Sequence, residues 1–253
     1  MSQLELIAPP VPAKPFLRAR WVHLAMLNYD IEPRLLARHV PAGTELDMWN
    51  GKAFVSMVGF LFQETSLLGI PALFHRNFEE VNLRFYVRRQ TSEGWRRGVV
   101  FVKEIVPRRL VALIARTVYN EAYVALPMRH TLQLPGPKTR GTFTYEWLKE
   151  GKWNALEVKT VAGEPALPEV DSEEAFITEH YWGYTRQRDG STIEYQVDHP
   201  HWRVWPGQAS RFECDAGKFY GAEFAVALSR PPSSAFAVEG SAVIVRQGCR
   251  LND

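Results

Sequence analysis

At 253 residues, with 46% hydrophobic and 23% charged side chains, the chain can bury a substantial core, which excludes disorder over most of its length. Its 30 basic and 28 acidic residues leave a formal net charge of +2 with no basic block, a pattern that argues against a nucleic-acid partner. Cys214 and Cys249 have neither metal-ligand spacing nor the makings of a disulfide framework. No stretch approaches the roughly 20 apolar residues of a membrane span, and the first ten residues lack a signal-peptide core, so the expected setting is cytoplasmic, with no membrane association.

Pro9, Pro10, Pro12 and Pro15 predict an extended lead-in over residues 1–15, followed in a single domain by a core over 16–246 and a tail over 247–253. Phe16 to Tyr29 reads as a long strand, after which Asp30 is placed to cap a short helix containing Pro33, Leu35 and Leu36. Glu45 to Trp49 and Lys52 to Phe62 flank Asn50-Gly51, the preferred type I′ pair, and predict a hairpin. Phe78 to Val87 is a strand, the turn Gln90 to Gly94 is flanked by Arg88-Arg89 and Arg96-Arg97, and Gly98 to Val106 has two largely apolar faces, as a central strand does. Arg108 to Arg116 has helical periodicity behind Pro107.

Beyond it come strands at His130 to Leu134, Gly141 to Trp147 and Trp153 to Val161, then a short helix capped by Ser172. Tyr181 to Gln187 and Ser191 to Val197 form a second hairpin about Asp189-Gly190, and Phe219 to Ser229 and Ala235 to Arg246 read as two late strands. The predicted fold class is α+β, mainly antiparallel β, with two or three short helices.

The strand Phe78 to Val87 carries the strongest functional signal. Its period of two places Glu80, Asn82, Arg84 and Tyr86 on one face and Val81, Leu83, Phe85 and Val87 on the other. The polar row either faces water, forms a subunit contact, or lines a pocket, because such a set is costly to bury unless it is paired. In a pocket, Glu80 offers an acid/base or hydrogen-bonding group, Arg84 a bidentate contact to an anion, and Asn82 and Tyr86 orientation.

Asp198 to Pro206, holding His199, His201, Trp202 and Trp205, reads as an aromatic loop closing one end of the structure, with His199 and Trp202 as candidate ligand contacts. Two histidines two apart can share a metal, but spacing supplies no third ligand, so no metal is expected. Lys103, in an apolar strand, suits Schiff-base chemistry if desolvated; near a strand end, its head is expected to reach water.

Trp21 to Tyr29 followed by Asp30-Ile31-Glu32-Pro33 and Val40-Pro41-Ala42-Gly43, then Phe78 to Val87, Gly98-Val99-Val100-Phe101, Ala115-Arg116, Phe176 to Tyr184 and His199-Pro200-His201-Trp202, together resemble the YqjF-like family of uncharacterised bacterial proteins, domain of unknown function 2071. That family resembles the acetoacetate decarboxylase-like superfamily, which implies a β-cone or barrel-like antiparallel fold enclosing a pocket. In those decarboxylases a lysine, its pKa lowered by an adjacent lysine, forms a Schiff base, and a glutamate and an arginine line the pocket.

The resemblance matches Glu80 to that glutamate and Asp30 to the arginine position. It puts the lysine pair near Leu126-Pro127-Met128-Arg129, where neither Met128 nor Arg129 can form an imine. The expectation is therefore a cofactor-independent pocket for a small carbonyl or carboxylate molecule without Schiff-base decarboxylation. Glu80 is the candidate catalytic group; Asn82, Arg84, Tyr86, Arg116, His199 and Trp202 are candidate substrate contacts. If the protein is an enzyme, the expected activity is of a lyase or hydratase acid-base kind. The alternative is a non-catalytic ligand-binding or stress-related module, and the sequence leaves homo-oligomer formation open.

Overall fold

The computed structural model describes residues 13–72, 76–107 and 122–251. In chain order the strands are β1 (Pro15–Ile31), β2 (Glu45–Leu46), β3 (Ala53–Leu67), β4 (Ile70–Pro71), β5 (Phe78–Thr91), β6 (Gly94–Val106), β7 (Tyr123–Ala125), β8 (Met128–Gln133), β9 (Arg140–Lys149), β10 (Lys152–Ala162), β11 (Trp182–Arg186), β12 (Thr192–Asp198), β13 (Val204–Glu213), β14 (Ser234–Arg246) and β15 (Cys249–Arg250). The α-helices among the described residues are α1 (Pro33–Leu36), α2 (Glu173–Thr178), α3 (Ala216–Tyr220) and α4 (Ala222–Leu228). None of these helices is long and apolar enough to cross a membrane.

The strands run in the order β12-β11-β6-β5-β3-β1-β14, and β12 also pairs with β14 through Val197 with Val245 and Asp198 with Ile244. That last pairing closes the sheet on itself into a barrel, which removes its edges. Pairing is antiparallel except where β6 meets β11 and β7. From β14 the network continues outward through β13, β10, β9 and β8, forming a second layer against the barrel's outer face.

The two layers explain why β5 is buried on both sides. Val81, Leu83, Phe85 and Val87 face outward and pack with Phe143, Tyr145 and Leu156 of the second layer. Glu80, Asn82, Arg84 and Tyr86 face the barrel interior, with exposures of 2%, 1%, 8% and 1%. The polar row is therefore buried within the chain rather than spread on its outer surface. Layer contact is tight at Gly59 of β3, where a Cβ would meet the Tyr145 ring at 2.6 Å.

Several predicted elements form as expected. Ser172 Oγ accepts from Ala175 N at 3.1 Å and caps α2, and β6 lies between neighbours on both sides. Others differ. Asn50 and Gly51 turn with φ of 49° and 77°, yet only Trp49 and Lys52 bridge across them. The first arm, β2, pairs instead with Arg88 and Val87 of β5. Asp30 caps nothing; it is the penultimate residue of β1, 3.8 Å from Lys52, and the helix N-cap is Glu32.

Residues 219–228 are helical rather than extended. Asp215 caps α3 by accepting from Lys218 N at 3.2 Å, Gly221 (φ +117°) separates α3 from α4, and alanines favour the helical backbone. Phe224, Ala227 and Leu228 are buried at helical spacing. Strand β13 was not legible at all, because most of its residues after Trp205 are exposed and lack alternation. Its first residues pair with β14 and the rest with β10, which joins the two layers. The predicted helix from Arg108 lies outside the described residues, as does Arg116.

Candidate functional site

A cavity of about 480 Å³ occupies the barrel interior. Its apolar wall includes Trp21 and Leu24 of β1, Phe60 and Phe62 of β3, and Phe78 of β5. Leu68 and Ile70, both exposed, also line it and mark its open side. The polar wall comprises Glu80, Asn82 and Arg84 of β5, Glu104 of β6, Tyr123 of β7, Thr178, His180 and His199.

Glu80 is held from two sides. Asn82 Nδ2 donates to its Oε1 at 3.0 Å and Tyr123 OH donates to its Oε2 at 3.2 Å. Arg84 differs: it is more than nine-tenths buried, lies with its Cζ 5.7 Å from the Tyr86 ring, and forms no ion pair with a carboxylate among the described residues, where its Nε also makes no hydrogen bond. An unpaired guanidinium in such a place is costly, because burial removes water without supplying an anion in return.

Tyr86 does not line the cavity. Its hydroxyl shares a 2.6 Å hydrogen bond with Ser56 Oγ, which donates to Asn28 Oδ1 at 2.6 Å. Its ring lies 4.6 Å from that of His180, so it supports both His180 and Arg84 without offering its hydroxyl to the cavity. His199 and Trp202 do line the cavity; their rings stack at 4.1 Å, and Trp202 Nε1 donates to Ser241 Oγ at 2.8 Å. His201 points elsewhere, to Glu179 at 2.8 Å, so the two histidines share no focus. Burial lowers the His199 pKa.

His180, Asp47 and Glu104 were not singled out in the sequence. His180 Nε2 lies 3.2 Å from Asp47 Oδ2, to which Arg97 Nε donates at 2.6 Å. Burial favours the neutral Asp47 carboxyl, but hydrogen bonds and charge from His180 and Arg97 outweigh it and hold the pKa below the usual carboxylate value. Burial pushes His180 down to about 4 despite Asp47, so at neutral pH a neutral imidazole donates to an ionised carboxylate.

Glu104 enters through a bulge. Leu83 pairs with Lys103 but Arg84 with Phe101, leaving Val102 as an extra residue that shifts the alternation and puts Glu104 on the same side as Phe101. The sequence signal was a carboxylate inside an otherwise apolar strand; its side could not be read without the bulge. His180, between α2 and β11, carries no periodicity to read.

Lys103 is turned away from the cavity. It donates to the Phe219 carbonyl and lies 4.6 Å from the Phe219 ring centroid, half-buried and away from the polar row. Burial and the nearby Lys149 lower its pKa. Asp30 and Arg129 are also elsewhere: Asp30 is exposed, and Arg129 makes a bidentate pair with Glu146 at 2.7 and 2.9 Å. Met128 packs with the layer between the sheets. No lysine occurs among the described residues lining the cavity.

The architecture is that of the acetoacetate decarboxylase-like proteins. Among solved structures, the enduracididine biosynthesis enzyme MppR complexed with pyruvate is similar with a TM-score of 0.68 at 14% identity, covering 100% of this chain and 95% of that one. An acetoacetate decarboxylase from Legionella pneumophila is similar with a TM-score of 0.63 at 13% identity, covering 99% and 94%.

Sequence comparison narrows the assignment. The model of the DUF2071 family, described as an uncharacterized conserved protein, matches residues 18–241, and the chain belongs to that family. The uncharacterized protein YqjF of Bacillus subtilis (strain 168) is 28% identical over 194 residues, 76% of each chain.

Proposed function

We propose that the barrel cavity binds a small organic carboxylate, with Arg84 anchoring the carboxylate group and Glu80 serving as the hydrogen-bonding or acid/base group beside it. The observation that carries this reading is the buried Arg84 guanidinium without a carboxylate partner among the described residues, since a ligand anion supplies charge and hydrogen bonds there. The aromatic wall suits the apolar part of such a molecule, and cavities of this size commonly take small ligands. Pyruvate in the structurally similar MppR is a small carboxylate of the same class.

Schiff-base chemistry forms no part of the proposal. Lys103 is turned to Phe219, and Met128 and Arg129 stand where the family resemblance puts the lysine pair. Borohydride treatment with a panel of keto acids is expected to leave the intact mass unchanged; a stable adduct on Lys103 would refute this part. Binding without turnover is a second reading, favoured by the two hydrogen bonds that already occupy Glu80.

The anion site is tested by calorimetric titration of pyruvate and 3-phenylpropionate into the wild-type protein and Arg84→Met. Saturable binding lost in the variant is the expected result. Equal binding by both proteins would refute the anchor. A carbonyl substrate consumed by wild type and untouched by Glu80→Gln, with binding retained, would favour catalysis over binding alone.

A further inference from the structure

The Asp47-His180 pair offers the cavity a second, chemically distinct contact. Arg97 and His180 hold Asp47 from two directions, and Asp47 accepts at His180 Nε2. The ring proton therefore sits on Nε2, and the lone pair is left on Nδ1. His180 lines the cavity with its side chain 2% exposed, and its Nδ1 is buried with no hydrogen-bond partner among the described residues, so a ligand donor reaches it only as neighbouring side chains shift. The ring is fixed by Tyr86 at 4.6 Å and by Phe176 edge-on at 5.3 Å.

Arg84 and His180 flank the same Tyr86 ring, the guanidinium at 5.7 Å and the imidazole at 4.6 Å from its centroid. Both residues also line the cavity, which puts them against one bound molecule. Arg84 provides only donors, whereas Nδ1 is only an acceptor, so the molecule must carry an anion for one and a donor for the other. A carbonyl oxygen cannot donate. A hydroxyl on the carbon next to a carboxylate can.

We propose that the cavity selects a 2-hydroxy carboxylate, its carboxylate on Arg84 and its hydroxyl donating to His180 Nδ1, with Asp47 as the positioning residue that fixes the imidazole tautomer. This inference rests on the anion-binding reading above and adds the class of ligand. The aromatic wall formed by Trp21, Phe60, Phe62 and Phe78 accommodates an apolar or aromatic substituent. Burial contributes by keeping the ring neutral and so leaving Nδ1 an acceptor at neutral pH.

Three probes of one shape test the idea: 3-phenyllactate, phenylpyruvate and 3-phenylpropionate, which carry a hydroxyl, a carbonyl and neither. Titrated into the wild-type chain, the hydroxy acid is expected to bind roughly tenfold more tightly than 3-phenylpropionate, the value of one hydrogen bond made to an otherwise unsatisfied buried group. His180→Phe, which keeps an aromatic ring against Tyr86 and Phe176, is expected to erase that preference while still binding 3-phenylpropionate.

Long-range proton-nitrogen correlation spectra of the labelled wild-type protein give a readout independent of any variant's folding. They are expected to show the Nε2–H tautomer of His180, with a shift at Nδ1 on adding 3-phenyllactate, and a redistributed tautomer in Asp47→Asn. Equal affinity for the hydroxy and unsubstituted acids, or an Nδ1–H tautomer, overturns this inference and leaves the anion site standing. Failure of all three acids to bind, or binding unaffected by Arg84→Met, removes the anion site and this inference with it.

Discussion

The hairpin of β5 and β6 holds two sets of arginines that meet opposite fates. At its turn end Arg88 lies 2.7 Å from Glu45, Arg89 and Arg96 lie 3.3 and 2.6 Å from Glu194, and Arg97 lies 2.6 Å from Asp47. A few residues away on the same strand, Arg84 is more deeply buried than any of these and forms no ion pair among the described residues. The chain neutralises the cations that need only water or a neighbour and leaves uncompensated the one that faces a cavity. Charge pairing is thus a matter of structure at one end and of ligand supply at the other.

Glu194 is the sharpest place to break the comparison, since this 2% exposed carboxylate serves two arginines. Glu194→Gln is expected to cost roughly 2–4 kcal/mol, toward the lower part of the range for broken buried pairs because both guanidiniums keep some water. Urea unfolding measures it; an unchanged midpoint would show that the turn-end pairs are ornamental.

The pH dependence of His180 comes next. Its folded pKa of about 4 lies below the unfolded value of 6.5, so between these values the unfolded state binds more protons and stability falls as the solution is acidified. The stabilisation is complete above the unfolded pKa and declines by roughly 3 kcal/mol as pH drops through the window. Asp47 contributes its own loss only at more acid pH, since its pKa is already lowered. His180→Phe is expected to flatten the stability profile between the two histidine values; an unaltered slope would contradict the assignment.

Arg84→Met runs in the opposite sense. Replacing a buried, unpaired cation by an apolar side chain of similar length is expected to stabilise the ligand-free protein by about 1–3 kcal/mol while abolishing carboxylate binding. A lower melting temperature would mean that Arg84 supports the barrel rather than a ligand. The smallest effect is expected from Arg88→Ala, where an exposed ion pair contributes less than about 1 kcal/mol. A large loss there would erase the distinction between the two ends.

Much of the β framework could be read from residue order because alternation, turn pairs and caps act over a few residues. The strand at Phe78, the helix cap at Ser172 and the second hairpin are of this local kind. Where side chains of distant segments decide the outcome, local reading failed. The arms beside Asn50-Gly51 found other partners, and Phe219 to Leu228 coiled because Asp215, Gly221 and several alanines outweighed an apolar composition also compatible with a strand.

The amino-acid sequence by itself determined that Glu80, Asn82 and Arg84 share one face of a strand, because side chains alternate along an extended backbone. Only the tertiary structure decided that this face is interior. Pairing of β12 with β14 closes the barrel around it, while the second layer covers the opposite face. The same closure brought in His180 and Asp47, which are 133 positions apart. No local periodicity encodes a meeting at that separation; long-range strand pairing creates it, and with it the difference between a row of polar residues and a site.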